Sequence, residues 1–235
     1  MDTLLEMRNI DYYYQTKANR LEILNKASFS FEANKFYAIC GPSGSGKSTT
    51  LSLLGALDSP KKGTILFKGQ DIQKLGYTNY RNMNVGIVFQ SYNLLNYLSP
   101  LENVIISMEI TKTKIENKKE RACEILKEME LDESLFNRNV NVLSGGEQQR
   151  VAIARAIAKE ADIILADEPT GNLDPETAKG IVDIFKTIAH EKGKCVIVAT
   201  HSEEVSKQVD TVVRLENKCL KEDFKEAYLD YMPPK

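Results

Sequence analysis

Gly41-Pro42-Ser43-Gly44-Ser45-Gly46-Lys47-Ser48-Thr49 is the stretch on which the reading of this chain turns. It fits the spacing G-x-x-x-x-G-K-[ST], which wraps a loop around a phosphate. The residues before it, Phe36, Tyr37, Ala38, Ile39 and Cys40, are apolar and predict a buried strand. Those over 47–54 predict a helix. In that setting Gly41, Gly44 and Gly46 supply backbone freedom and let a phosphate approach the main chain closely. The amide N–H groups converge on the anion at a helix N-terminus, the positive end of the helix dipole. Lys47 is placed to reach the outer phosphates, and the Ser48 hydroxyl to ligate Mg2+. A plain Gly/Ser-rich turn would need neither the flanking elements nor the Lys-Ser pair.

The chain has 235 residues, enough for one large domain or two small ones. Lys plus Arg number 31 and Asp plus Glu 33, leaving a formal charge of −2. No strong overall field therefore draws the chain to nucleic acid or anionic lipid. Residues 114–121 are rich in lysine, but Glu116 and Glu120 alternate with the cations and predict a solvated helix face. Cys40, Cys123, Cys195 and Cys219 lack C-x-x-C spacing, which predicts reduced thiols rather than disulfides or a metal site. Met1-Asp2-Thr3 opens without a basic region or a long apolar run, so no secretory leader is expected. No stretch reaches the roughly 18 consecutive apolar residues that span a bilayer. Action at a membrane is expected only through a partner.

Residues 4–14 and 23–31 predict strands, the second alternating Ala27, Phe29 and Phe31 with Ser28, Ser30 and Glu32. Ala33-Asn34-Lys35 predicts a turn in which Asn34 takes a left-handed conformation. Lys61-Lys62-Gly63 predicts another turn, followed by strands over 64–68 and 85–90. Helices are expected over 100–108, 117–129 and 145–159, a helical insertion in an otherwise α/β chain. Residues 162–166 and 194–200 are apolar runs typical of strands buried on both faces. Between them, 175–191 predicts a helix capped by Asp174 with Pro175 in its first position. Residues 211–215 and 218–221 suggest a hairpin through Glu216-Asn217, and Pro233-Pro234-Lys235 is expected to fray.

Three apolar runs end in polar residues: Gly41, Asp167-Glu168 and His201. In a parallel α/β sheet the strand C-termini share one edge, where ligands bind. Asp167 is placed to hold Mg2+ directly or through water. Glu168 is expected to point the other way from the pleat, toward a water that its carboxylate orients and deprotonates. Alone, Asp-Glu-Pro reads as two solvent-facing acids; behind an apolar strand and downstream of a phosphate loop the catalytic reading is preferred. Leu143-Ser144-Gly145-Gly146-Glu147-Gln148 is the second signal. Ser144 with Glu147 makes a capping box, which leaves Gly145 and Gly146 unexplained, since each costs about 1 kcal/mol against Ala in a helix. Two together are expected where another group approaches the backbone. A helix start stripped of side chains and capped by a hydroxyl is an anion site.

In this order the motifs resemble those of ABC-type ATPases, the nucleotide-binding subunits of ATP-binding-cassette systems, over nearly the whole chain. Residues 41–49 resemble the Walker A loop, Gln90 the Q-loop glutamine, 143–148 the signature motif and 163–168 the Walker B strand with its catalytic glutamate. Gly171-Asn172-Leu173-Asp174 resembles the D-loop and His201 the H-loop. Tyr14, beside Tyr12 and Tyr13, falls where the family places the aromatic that stacks on adenine. The resemblance implies an α/β P-loop NTPase with a RecA-like parallel-sheet core, an N-terminal antiparallel β subdomain and an inserted α-helical subdomain. It implies a single cassette over 1–235, its core and β subdomain drawn from 1–90 and 160–235 and its helical part from 91–159.

The same resemblance implies Mg2+-dependent ATP hydrolysis between two cassettes facing head to tail. ATP on Gly41, Pro42, Ser43, Gly44, Ser45, Gly46, Lys47, Ser48 and Thr49 of one copy is closed over by Ser144, Gly145, Gly146 and Glu147 of the other. Glu168 acts in hydrolysis, His201 contacts the γ-phosphate, and Gln90 sits near Mg2+ and water. Ser48, Gln90 and Asp167 are the expected metal residues, and Asp174 crosses the dimer interface. His190, late in a helix, is expected to be plain surface. Where the family has Glu-x-Gly-Glu before the Walker A strand, this chain has Glu32-Ala33-Asn34-Lys35; Asn replaces Gly in a left-handed turn.

The wording of 41–58, 89–95 and 169–174 is similar to the lipoprotein-releasing, macrolide-exporter and antimicrobial-peptide-resistance branch, with the cell-division cassette a neighbour. That likeness implies a transmembrane permease partner, a cytoplasmic position at the inner face of the cell membrane, and export of a peptide, drug or lipoprotein. Residues 91–104, with Tyr92, Leu94, Leu95, Tyr97 and Leu98, are the expected coupling surface; packing within the helical insertion is the alternative for any one of them. The rival class is a non-transport ABC ATPase of cell division, DNA repair or translation. The repair and translation types usually carry coiled-coil insertions, zinc modules or two fused cassettes, and this sequence has none of these. No nucleic-acid partner is expected.

Overall fold

The computed structural model describes residues 3–16, 19–111 and 114–223; Pro233-Pro234-Lys235 lies outside them. β1 (Thr3–Gln15) and β2 (Arg20–Glu32) form a long antiparallel pair. In β2, Ala27 and Phe31 are buried and Phe29 half-buried, while Ser28 and Ser30 are exposed, as the alternation requires. The next turn holds Asn34 at φ 60. β3 (Phe36–Cys40) enters the glycine loop, and α1 (Lys47–Leu54) leaves it. β4 (Lys62–Phe67) runs antiparallel to β1 and carries β5 (Gln70–Asp71) on its edge, so the first sheet is β2-β1-β4-β5. Gly63 is not in a turn, contrary to the sequence expectation. It lies inside β4 at φ 85, where a Cβ would fall 2.3 Å from the Asn9 carbonyl oxygen. The β1 register shifts between Arg8 and Asp11, opposite it, so the glycine accommodates a bulge.

α2 (Ile72–Leu75) and α3 (Tyr77–Asn84) follow. β6 (Val85–Val88) ends two residues short of Gln90, which corrects the expected strand over 85–90. Then come α4 (Pro100–Ile110), α5 (Lys118–Glu128), α6 (Gly145–Ile157), β7 (Ile163–Asp167), α7 (Pro175–His190) and β8 (Cys195–Ala199). α8 (Glu203–Gln208), β9 (Thr211–Glu216) and β10 (Cys219–Asp223) close the described chain. The second sheet has the order β10-β9-β3-β8-β7-β6, parallel except for the β9–β10 hairpin.

Successive side chains of a strand leave on opposite faces, and here each face meets its own core. Phe36, Ala38, Cys40, Ile164, Ala166, Val196 and Val198 join one cluster with residues of α4 to α8. Tyr37, Ile39, Ile163, Leu165 and Ile197 join the other, with α1 and the first sheet. That is why these strands read as unbroken apolar runs. Each fully buried aliphatic side chain contributes about 1.5–3 kcal/mol. The arrangement is an α/β P-loop NTPase fold, a parallel core with the antiparallel sheet and α1 to α3 on one side and α4 to α8 on the other. Among the described residues no helix is long and apolar enough to cross a membrane. His190 is more than plain surface: its Nε2 lies 2.8 Å from Asp210 Oδ2, the oxygen that accepts the Phe36 N–H at 2.7 Å. The imidazole thus ties the end of α7 to the first residue of β3.

Candidate nucleotide site

β3, β8 and β7 are neighbours, and their C-terminal ends deliver the glycine loop, Thr200-His201 and Asp167-Glu168 to one edge. The loop is shaped by close approach. Gly46, at φ 108, caps α1, and a Cβ there would lie 2.3 Å from Ile23 Cγ2. A Cβ on Gly41 would lie 2.8 Å from the Leu215 carbonyl oxygen. No described side chain caps α1, and its first turn holds no acid. Its N–H donors therefore face the space that Pro42, Ser43 and Gly44 ring from the exposed side. Buried Lys47 donates from Nζ to the Gly41 and Pro42 carbonyls at 2.9 and 3.1 Å, so the loop curls around its own ammonium. Ser45 Oγ is buried there with no hydrogen-bond partner.

Ser48 Oγ donates to Asp167 Oδ1 at 3.0 Å, joining the start of α1 to the end of β7. Burial raises the Asp167 carboxyl above its usual range; the Ser48 hydrogen bond opposes this, Glu168 adds to it and Lys47 opposes it. A hydroxyl and a carboxylate are hard oxygen donors, the chemistry of Mg2+, which keeps waters and substrate phosphates as its other ligands. Among the described residues there is no group of three or more His, Cys, Asp or Glu able to hold a metal. Ser48 Oγ and Asp167 Oδ1 fit the chemistry of Mg2+.

Glu168 lies beyond the strand, at φ 44, so the pleat does not set its direction as the sequence reading supposed. The left-handed backbone, with the Glu168 N–H donating to the Ala199 carbonyl at 2.9 Å, places it instead. Its Oε1 lies 2.8 Å from His201 Nδ1; the Glu168 side chain is 16% exposed and that of His201 74%. Gln90 sits on an exposed turn after β6, its Nε2 3.5 Å from where a Gly171 Cβ would be. Gly171 in turn donates its N–H to the Glu168 carbonyl at 3.2 Å.

The three tyrosines separate cleanly. Tyr12 is buried and its hydroxyl bonds Asp58. Tyr13 lies under the Arg20 guanidinium, 3.9 Å from its ring centre. Tyr14 is 46% exposed, its hydroxyl 3.1 Å from Thr49 Oγ1 beside the loop.

At the start of α6, Ser144 and Glu147 form the expected capping box. Ser144 Oγ accepts from the Glu147 N–H at 3.3 Å, and Glu147 Oε2 accepts from the Ser144 N–H at 2.7 Å. Gly145 and Gly146 have neighbours within the chain: their Cβ positions lie 2.9 Å from the Tyr92 hydroxyl and 2.4 Å from Thr177 Cγ2. Among the described residues no hydrogen bond joins 144–147 to 41–49. Asp174 accepts from the Thr177 N–H at 3.0 Å and caps α7 while remaining exposed.

Arg155 was not singled out in the sequence. Its guanidinium, on α6, donates to the carbonyls of Asn93 at 2.5 Å and Tyr92 at 3.0 Å, two residues in the left-handed region at φ 50 and 58. Its one signal was a cation inside the apolar run Ala152-Ile153-Ala154-Arg155-Ala156-Ile157.

A family model described as ABC transporter matches residues 24–171. The ABC transporter ATP-binding protein YclH of Bacillus subtilis (strain 168) is 47% identical over 213 residues, 91% of this chain and 93% of that protein. The lipoprotein-releasing system ATP-binding protein LolD of Hyphomonas neptunium is 37% identical over 220 residues, 92% of this chain and 96% of that protein. A solved dimeric post-hydrolysis state of the ATP-binding cassette MJ0796, bound to ADP and Pi, superposes with a TM-score of 0.86 at 35% identity. It covers 94% of this chain and 99% of that one.

Proposed function

The chain belongs to the ABC transporter family of ATP-binding proteins, and from that premise we propose that two copies, head to tail, hydrolyse ATP to drive a membrane permease. The chain is an ATPase of that family. The observation that carries the reading is a pair of contacts at one sheet edge, Ser48 with Asp167 and Glu168 with His201, beside a loop already folded around Lys47.

In this reading Lys47 leaves the Gly41 and Pro42 carbonyls for the outer phosphates, and the α1 N–H groups bind the phosphate oxygens. Tyr14 stacks on adenine, steadied by Thr49. Ser48 and Asp167, the latter directly or through water, would hold Mg2+, with Gln90 close by. That ion would supply positive charge to the phosphate oxygens. Glu168 orients the attacking water and accepts its proton, and His201 turns from Glu168 to the γ-phosphate. Ser144, Gly145, Gly146 and Glu147 of the second copy close the site, and Asp174 lies at the seam between copies. The dimeric state of MJ0796 supports the pairing. The helical part over 91–159 forms, with the core, one cassette.

The surface that meets the permease is 91–104, where Tyr97 is 77% exposed. The protein then sits at the inner face of the membrane, held there through the permease. Export of a lipoprotein, peptide or drug is supported by the relative LolD and the wording of the motifs. The test is Glu168→Gln. Turnover should fall about 10²–10⁴-fold, the range of a lost general base, while ATP binding persists and an ATP-dependent dimer accumulates in light scattering. Normal turnover would remove Glu168 from its role.

A further inference from the structure

Gly145, Gly146 and Gln149 share one face of α6: at about 100° per residue, Gln149 projects between the two glycines. Helical side chains lean toward the N-terminus, so Gln149 covers the turn in which the glycines lie. It is fully buried, yet neither its Oε1 nor its Nε2 has a hydrogen-bond partner. A buried amide left so weakens the fold, whereas an apolar side chain of the same size would not. Across the same turn stands the Tyr92 hydroxyl, 2.9 Å from the Gly145 Cβ position and without a hydrogen bond among the described residues. The backbone of Tyr92 is fixed by Arg155, two turns further along the same helix. One helix therefore grips the segment behind Gln90 at its carbonyls, while near Gly145 the helix's Gln149 amide and the segment's Tyr92 hydroxyl both stand without a hydrogen bond among the described residues.

We propose that Gln149 and Tyr92 are positioning residues for ATP hydrolysis. Their amide and hydroxyl bond to each other when a second copy closes over ATP, fixing the first turn of α6 against the Gln90 segment. A Cβ at Gly145 would stand in the way, which gives that glycine a reason inside the chain. The inference rests on the function proposed above.

The test places Tyr92→Phe, Gln149→Leu and both together in the Glu168→Gln chain. It measures the ATP-driven dimer Kd by sedimentation and the nucleotide-free melting temperature. Each single change should weaken the dimer about tenfold without lowering the melting temperature, and the double change should be no worse than either, the mark of a shared bond. Additive losses or an unchanged Kd overturn the inference. So does a Gln149→Leu melting point that falls in step with dimerisation, which would mean the amide is already satisfied, for instance by a buried water. Tyr92→Phe keeps its ring in place and decides the matter if Gln149→Leu does not fold. If the Glu168→Gln parent itself fails to dimerise with ATP, the functional reading falls and takes this inference with it. A parent that dimerises with variants equal to it removes this inference alone.

Discussion

Asp167 shows how a single residue is tuned against its own fold. Burial disfavours its charge more than Ser48 and Lys47 restore it, so the native carboxyl takes up a proton more readily than the unfolded one, whose ordinary value is 3.8. The ionised form therefore subtracts stability at neutral pH, and the deficit disappears as pH falls below the unfolded value. Asp167→Asn should melt above the native chain at pH 7, by a margin that shrinks toward pH 4. On the function proposed above, its Mg2+-dependent turnover should be lower by about 10–100-fold, the range for losing a group that holds the ion directly or through water. Calorimetry at the two pH values checks the first claim; a lower melting point at pH 7 contradicts it. Glu168 marks where residue-level reading stopped short. Its type and place in the sequence pointed to a base, but φ 44 leaves no trace in a side-chain pattern. The sequence placed His201 on the same edge, but its direct contact with Glu168 followed only once β7 and β8 were side by side.

At the scale of elements, α6 is the most instructive. Gly146→Ala would gain about 1 kcal/mol of helix propensity, yet its Cβ would lie 2.4 Å from Thr177 Cγ2. The crowding should win, with a net loss of about 1–3 kcal/mol in urea unfolding. Thr177→Ser removes that methyl group and should recover most of the loss. If the recovered double variant still fails to dimerise with ATP, the glycine also serves the second copy. At the far end of the helix, Lys159 Nζ donates to the Val85 and Arg81 carbonyls at 2.7 and 3.2 Å. Burial, then Arg81 and Arg155, push its pKa down to about 8. The unfolded chain holds that proton longer, so this lysine's contribution to stability rises with pH between about 8 and the ordinary 10.5. Relative to Lys159→Met, the native chain should gain on the order of 2–3 kcal/mol across that interval in urea titrations. The strands of the second sheet were legible because a strand between two cores cannot carry polar side chains. α3 and α8 were not: one buries only Tyr80, and the other is a six-residue helix capped by Ser202. Arg155 and Lys159 were missed because their partners are backbone carbonyls, which every sequence position offers alike.

On the scale of the whole molecule, the exposed apolar side chains include Tyr97, Ile110 and Val142. Tyr97→Asp should leave ATP binding and folding intact and release the protein from membranes prepared with the proposed permease partner, as a sedimentation assay would show. Retention in the pellet would place the docking surface elsewhere. The topology also has a consequence in time. β3 finds its strand neighbours only in β8 and β9, and the Phe36 N–H reaches the Asp210 carboxylate across 174 residues of chain. During synthesis the antiparallel sheet, drawn from residues 3–71, is free to zip up soon after it leaves the ribosome. The strand that bears the phosphate loop must wait for the last of its neighbours to emerge. Until then the nascent chain has no wall behind its loop, and a fragment ending before β8 should fail to bind ATP.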